Sequence, residues 1–323
     1  PVYNEDVNKN SPYYERLAFD EIYSNLLIFN EIKKRLEKIK KIPKKISIDQ
    51  INKIKKLLPF QLTDDQNKCL DEIIEDMKSN KKMMRVLQGD VGSGKTVLAL
   101  ISSYLNYLSN YQSAIMVPTE ILAIQHYKFF QKIFKNQDIK IELLSGKTKI
   151  KDQKKVREKL KNNEIDIIIG THSLFQEKIE FFNLGLGVID EQHKFGVKQR
   201  INLSQKGSDN TDVILMTATP IPRTLILTNY GDMNISTIKN KPFSNNNIET
   251  LAKPLNKLDE IIDFVNKKIN EGDQIYWVCP LIEESEKLKL TAAIKRYDFL
   301  KDKISCDIGL IHGSLSKNEK DQI

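Results

Sequence analysis

The segment that most limits how this chain can fold is the eight-residue stretch GDVGSGKT at residues 89–96. It matches the pattern G-x-x-x-x-G-K-[ST], whose glycines let backbone N–H groups turn toward phosphate oxygens. An apolar run at residues 84–88 precedes it and a long apolar stretch follows from Val97, so we predict a strand before the loop and a helix after it. This context favours a phosphate site over a simple glycine turn. The candidate ligand-binding residues are Gly89, Gly92, Ser93, Gly94, Lys95 and Thr96.

Short apolar runs alternate with amphipathic stretches through the middle of the chain. The runs occupy residues 85–88, 114–117, 139–144, 165–170, 186–190 and 213–217. Such alternation is typical of a parallel β-sheet covered by helices on both faces. The sequence therefore predicts an α/β fold with a phosphate-binding loop.

Segments on either side of this sheet define the domain organisation. Apolar residues at helical spacing follow Ser11 and Pro12, which predicts a long N-terminal helix. A capping box at residues 63–66 opens the helix that precedes the sheet. Residues 242–247 have the composition of a linker, and beyond them we predict helices at 257–270 and 283–300 and strands at 274–279 and 307–311. The predicted units are an extension at 1–57, a first α/β domain at 58–240 and the start of a second at 241–323.

The charge distribution points to a polyanionic partner. Residues 31–56 carry eleven Lys and Arg against three acidic residues, a surplus equal to the formal charge of +8 of the whole chain. This basic stripe is typical of nucleic-acid binding, although a solvated helix face would look the same. The three cysteines and four histidines lack the spacing of a zinc site, and no stretch has the form of a signal peptide or a membrane span.

An acidic pair after a predicted strand supplies a second half for the phosphate site. Asp190 ends an apolar run, where it could hold Mg²⁺ through water, and the adjacent Glu191 could polarise the water that attacks a γ-phosphate. Without the phosphate loop, a helix cap would be the simpler explanation of the pair. Gln66 has two possible roles that can coexist, namely closing the capping box and contacting adenine.

Threonines at the ends of three predicted strands form a possible track along one edge of the sheet. The residues are Thr119, Thr171, His172, Thr217 and Thr219. Their hydroxyls and backbone amides could bind the phosphates of DNA, although threonine at a strand end is more often a helix cap.

These motifs together resemble superfamily 2 helicases, and specifically the RecG family, over nearly the whole chain. The likeness is carried by LTDDQ at 62–66, the phosphate loop, DEQH at 190–193, FGVKQR at 195–200, TATPIPRT at 217–224 and YWVCPLIEESE at 276–286. The resemblance implies two RecA-like domains and adds His193 to the catalytic set. Translocases of transcription-repair coupling share TATPIPRT, but Ser93, Gln192 and the run LIEESE favour RecG.

The resemblance implies an ATP- and Mg²⁺-dependent motor that translocates on double-stranded DNA and remodels stalled forks and Holliday junctions in repair and recombination. It implies a cytoplasmic monomer whose partner is branched DNA. A nucleotide-gated DNA-binding module without catalysis is an alternative from another class, whereas a small-molecule kinase would leave the threonine track and the basic stripe unexplained. The family's wedge domain and arginine-finger motifs are expected outside residues 1–323, so we expect this stretch alone to hydrolyse ATP weakly.

Overall fold

The computed structural model describes residues 11–38, 40–144, 150–171, 174, 179–190, 210–218, 233–242, 249–279 and 286–323. The chain divides into two compact units, residues 1–246 and 247–323. The segment before residue 58 therefore belongs to the same compact unit as the sheet. The division into motor domains at 58–240 and 241–323 stays a prediction.

Three helices precede the sheet, namely α1 (Pro12–Lys38), α2 (Ile48–Leu57) and α3 (Asp64–Lys78). The predicted start of α1 is confirmed, because the Ser11 hydroxyl accepts the N–H of Tyr14 at 3.2 Å. Helix α2 was not predicted, although Ser47 and Gln50 form a capping box at its start. The signal is present in the sequence, within a lysine-rich stretch whose charge dominates its interpretation.

Helix α3 follows the predicted pattern. Thr63 is its N-cap and forms a capping box with Gln66. The predicted buried stripe is confirmed, with Leu70, Ile73 and Met77 fully buried and Ile74 nearly so. Burial of each such side chain contributes about 1.5–3 kcal/mol, so this stripe fixes the helix against the sheet.

Seven strands form one parallel sheet: β1 (Met84–Gly89), β2 (Gln112–Met116), β3 (Ile141–Leu144), β4 (Ile167–Gly170), β5 (Leu184–Ile189), β6 (Asp212–Thr217) and β7 (Asn234–Ile238). Their order is β3-β4-β2-β5-β6-β1-β7, and every pair is parallel. The six predicted strands are all present, and the predicted fold class is confirmed. Strand β7 was missed because polar residues outnumber apolar ones in its sequence, NISTI, and only two of the five residues are buried.

Helices α4 (Lys95–Leu108), α5 (Glu120–Ile133) and α6 (Ile150–Lys161) follow β1, β2 and β3. Two apolar clusters cover the two faces of the sheet, and neighbouring residues of one strand point into different clusters. In β4, for example, Ile167 and Ile169 belong to one cluster and Ile168 to the other. Burial on both faces explains why these strands are continuous apolar runs.

The edge of the sheet opposite the phosphate loop contains a buried charge cluster. Asp212, the first residue of β6, receives hydrogen bonds from the ammonium groups of Lys41 and Lys44. The side chains of all three are 0–1% exposed. This is a correction to the basic stripe, because two of its lysines are buried in the core and are not available to a polyanion.

The second unit contains a short 3-10 turn (Leu255–Lys257) and helices α7 (Leu258–Asn270), α8 (Glu286–Lys303) and α9 (Lys317–Gln322). The helices predicted at 257–270 and 283–300 are confirmed where the structure describes them. The strands predicted at 274–279 and 307–311 are wrong, since these residues lie in irregular backbone. A strand needs a hydrogen-bonded neighbour and a covered face, whereas Tyr276 is 90% and Val278 81% exposed.

Candidate nucleotide-binding site

The loop between β1 and α4 has the backbone geometry that its glycines predict. Gly92 has φ of 79° and Gly94 has φ of 90°, in the left-handed region that favours glycine. A Cβ on Gly94 would lie 2.2 Å from Nε2 of Gln66, so a side chain there would also collide with its neighbour. Helix α4 begins at Lys95, which directs the N–H groups of its first turn toward the loop.

Lys95 lies inside the loop. Its Nζ donates to the carbonyl oxygens of Gly89 at 2.6 Å and Asp90 at 3.0 Å, and the residue is buried. The Ser93 hydroxyl is also buried and has no hydrogen-bond partner among the described residues. A buried ammonium, an unpartnered hydroxyl and a helix N-terminus fit the phosphates of a nucleotide, and the half-exposed Thr96 follows directly where a magnesium ion would need an oxygen.

The side chain of Gln66 links the start of α3 to the phosphate loop. Its Oε1 accepts the N–H of Thr63 at 2.9 Å, and its Nε2 donates to the carbonyl oxygen of Ser93 at 2.8 Å. The capping role is therefore present, and the same amide also holds the phosphate loop. Contact with adenine stays a prediction.

Asp190 directly follows β5, whose carboxyl end lies on the same edge of the sheet as the phosphate loop, with β6 between β5 and β1. Its backbone N–H donates to the carbonyl oxygen of Met116, the last residue of β2, at 2.8 Å. This hydrogen bond fixes the backbone of Asp190 at the end of β5. The Asp190 side chain is 11% exposed, and its Oδ2 lies 3.4 Å from Nε2 of His126 on α5. Glu191 and His193 lie outside the described residues, so their catalytic roles stay predictions.

The described threonines of the possible DNA track lie at or just after the carboxyl ends of three strands, of which β4 and β2 are neighbours while β5 separates β2 from β6. Thr171 follows β4, Thr119 follows β2 with two residues between, and Thr217 ends β6, all on the edge that carries the phosphate loop. Thr119 is the N-cap of α5 and its side chain accepts the N–H of Leu122, which is the simpler of its two roles. Thr171 and Thr217 are buried, whereas His172 and Thr219 lie outside the described part of the chain. Contact with DNA stays a prediction for all five.

Two acidic residues, not singled out from the sequence, hold the segment after β7, one from α3 and one from the phosphate loop. The Asp65 carboxylate accepts the backbone N–H groups of Lys239 and Asn240 at 3.0 and 2.9 Å. Lys241 pairs with Asp90 at 2.6 Å, and this hydrogen bond, followed by the one from the N–H of Val91, lowers the pKa of Asp90. No local sequence signal marks these pairs, since their partners are far apart along the chain.

The described segments contain no cluster of metal ligands and no membrane span. No three His, Cys, Asp or Glu side chains there are grouped so that they could hold a metal ion. Among the same residues, no helix is long and apolar enough to cross a bilayer.

Comparison with protein families and curated sequences shows which proteins this chain resembles. The family model described as DEAD/DEAH box helicase matches residues 63–227, just over half of the chain. The ATP-dependent DNA helicase RecG of Thermotoga maritima is 44% identical over 311 residues, which is 96% of this chain and 40% of the relative. RecG of Bacillus subtilis is 44% identical over 309 residues, 94% of this chain and 45% of the relative. The chain thus spans less than half the length of these relatives.

Solved structures show the same fold. The structure of a RecG bound to a three-way DNA junction superimposes with a TM-score of 0.76 at 40% identity, covering 96% of this chain and 40% of that one. The DEAD-box helicase Mss116, bound to single-stranded RNA, has a TM-score of 0.59 at 20% identity, covering 87% of this chain and 64% of that one. At that identity the second likeness concerns the fold alone.

Proposed function

Because the chain belongs to the DEAD/DEAH box helicase family and resembles RecG helicases over nearly its whole length, we propose that it forms the ATP-binding part of a motor that remodels branched double-stranded DNA. The observation that carries this proposal is the pairing of the phosphate loop with Asp190 on one edge of the sheet. Forks and Holliday junctions in repair and recombination are the proposed substrates. The cytoplasmic location and monomeric state are parts of the same proposal.

Five residues have proposed roles in binding and hydrolysing ATP. Lys95 would contact the β- and γ-phosphates, Thr96 and Asp190 would hold Mg²⁺, Glu191 would accept the proton of the attacking water, and Gln66 would contact the adenine. Bound Mg²⁺ neutralises the negative charge that develops on the phosphates. Nζ of Lys95 donates to carbonyl oxygens of the loop itself, so we propose that it exchanges these hydrogen bonds for phosphate oxygens when a nucleotide binds.

Support for DNA as the partner comes from the RecG structure, which is bound to a three-way junction, and from the part of the basic stripe that remains exposed. Lys45, Lys53 and Lys56 are accessible near the start of the first unit. Lysines in such a position contact phosphates without reading base sequence, so binding to DNA should weaken as salt rises.

Nucleotide binding is tested by titrating the 323-residue chain with a fluorescent ATP analogue in excess Mg²⁺. We expect saturable binding in the wild type and its loss in Lys95→Ala, because the ammonium is the charge closest to the phosphates. Lys128→Ala, which changes a lysine on α5 outside the phosphate loop, is the matched control and should bind normally. Equal affinity of the wild type and the Lys95 variant would refute the site.

DNA binding is tested by fluorescence anisotropy of a labelled three-way junction at two salt concentrations. Replacing Lys45, Lys53 and Lys56 by Gln should weaken binding and flatten its salt dependence, by a slope of about 1 for each phosphate that is no longer neutralised. The control removes the same charge from α5 and the turn after it, by changing Lys128, Lys132 and Lys135 to Gln. Equal effects of the two triple variants would show that the stripe has no special role.

A further inference from the structure

His126 is a buried histidine for which the roles proposed so far give no reason. It lies on α5, seven residues after the N-cap Thr119, and is 6% exposed. Its Nε2 lies 3.4 Å from Oδ2 of Asp190. Its Nδ1 is buried and has no hydrogen-bond partner among the residues that the structure describes.

An apolar residue would suit this position if packing were the only requirement. Ala123 and Phe130, on the same face of α5, are fully buried and apolar. Burying an imidazole with one nitrogen unpaired is unfavourable, because that nitrogen loses its hydrogen bond to water and gains none in return. The ring therefore needs a compensating contact, and the carboxylate of Asp190 is the polar neighbour that the described structure places beside it.

We propose that His126 is a positioning residue that holds the carboxylate of Asp190 in the orientation needed for Mg²⁺. The inference rests on the proposed ATP site and deepens it. With hydrogen on Nε2, the ring would provide an N–H group 3.4 Å from Oδ2, and this polar contact would hold the carboxylate in place while Asp190 binds the magnesium ion or its water. Outer partners of this kind fix the orientation of metal-binding carboxylates, and their loss typically weakens metal binding by about 10–100-fold.

The arrangement also explains why the histidine comes from α5. Asp190 is the first residue after β5, so its own strand fixes its backbone but not its side-chain torsions. Strands β2 and β5 are neighbours, and α5 directly follows β2. The helix thus brings a rigid donor to the carboxylate, because its own position is fixed by the core contacts of Ala123 and Phe130.

The test measures nucleotide binding and not turnover. Affinity for a fluorescent nucleotide is measured in excess Mg²⁺ and again in EDTA, and the ratio of the two affinities reports the contribution of the metal. We expect His126→Phe to lower this ratio by about 10-fold or more while affinity in EDTA stays unchanged. His126→Gln, which keeps an N–H donor near the position of Nε2, should restore most of the ratio.

Three further variants separate the possible outcomes. Phe130→Leu loosens the same face of α5 without touching Asp190, so it should lower the melting temperature and leave the ratio unchanged. His126→Leu repeats the measurement if the Phe variant does not fold. An unchanged ratio in folded His126→Phe or His126→Leu, or an equal decrease in Phe130→Leu, would overturn the positioning role. The proposed ATP site would instead be overturned if the nucleotide affinity of the wild type were the same in Mg²⁺ and in EDTA. It would also be overturned if Asp190→Asn had the wild-type ratio.

Discussion

The buried carboxylate of Asp212 makes a demanding prediction about stability. It accepts hydrogen bonds from Lys41 at 2.6 and 2.7 Å, from the N–H of Met83 at 2.8 Å, and from Lys44. Changing it to Asn keeps the shape but removes the negative charge. Both ammonium groups, which are fully buried, then lack their counter-ion.

The size of the effect follows from two limits. Removing one partner of a buried ion pair typically costs about 3–5 kcal/mol. Each ammonium group has its own ceiling, because a lysine can release its proton instead, which at pH 7 costs roughly 4.6 kcal/mol per lysine for an ordinary pKa of about 10.4. We therefore expect Asp212→Asn to lower the free energy of unfolding by about 3–5 kcal/mol at pH 7.

The pH dependence gives this prediction a definite sign. Burial lowers the pKa of Lys44 below 10.5 already in the wild type, against the attraction of Asp212, which raises it. Above this lowered pKa the unfolded chain binds more protons than the folded one, so stability rises with pH up to the ordinary lysine pKa. Without Asp212 the pKa of Lys44 in the folded chain falls further, so the pH range over which stability rises becomes wider. The difference in free energy of unfolding between Asp212→Asn and the wild type should therefore shrink between pH 7 and about pH 10.

Urea unfolding followed by far-UV circular dichroism measures the destabilisation, with hydrogen exchange of the β1 and β6 amides to localise it. Fluorescence of Trp277, the single tryptophan, reports on the second unit and does not serve here. Glu142→Gln is the control, since its pair with Lys159 is partly exposed and should contribute less than about 1 kcal/mol. A destabilisation below about 1 kcal/mol for Asp212→Asn, or a gap that grows with pH, would refute the reasoning.

Three shorter predictions concern the site and its surroundings. Gly94→Ala should abolish binding of the fluorescent ATP analogue, because the backbone at residue 94 has positive φ and the new methyl group would collide with Gln66. Normal affinity of this variant would contradict the loop geometry. In the full-length helicase, Glu191→Gln should keep nucleotide affinity while ATP hydrolysis falls steeply, because a general base acts on the attacking water and not on the bound ground state. Normal turnover of that variant would place the base elsewhere. Burial raises the pKa of the Cys69 thiol to about 11. At pH 8 a thiol reagent should therefore modify the two exposed cysteines quickly and Cys69 only on unfolding. Rapid reaction of all three thiols would show that α3 opens readily.

Local patterns in the sequence predicted much of the fold and several residues of the candidate site. Each of the six predicted strands is an apolar run long enough to be recognised by itself, and the capping box at Thr63 marks the start of α3. The candidate phosphate loop was recognisable because its glycines, Lys95 and Thr96 are contiguous. Asp190 was singled out because it ends an apolar strand. These signals are short in sequence and need no knowledge of distant partners.

The tertiary structure alone decided which residues are neighbours across long separations and which charges are buried. Lys41 and Lys44 look like surface charges in a basic stripe, yet they are fully buried against Asp212, some 170 positions away. His126 comes close to Asp190 only because β2 and β5 are adjacent, and the strands expected at 274–279 and 307–311 have no hydrogen-bonded neighbour in the described structure. The physical reason is the same in each case. A helix or a loop is specified by nearby residues, whereas an ion pair, a supported carboxylate or a strand exists only when the fold brings its partner to it.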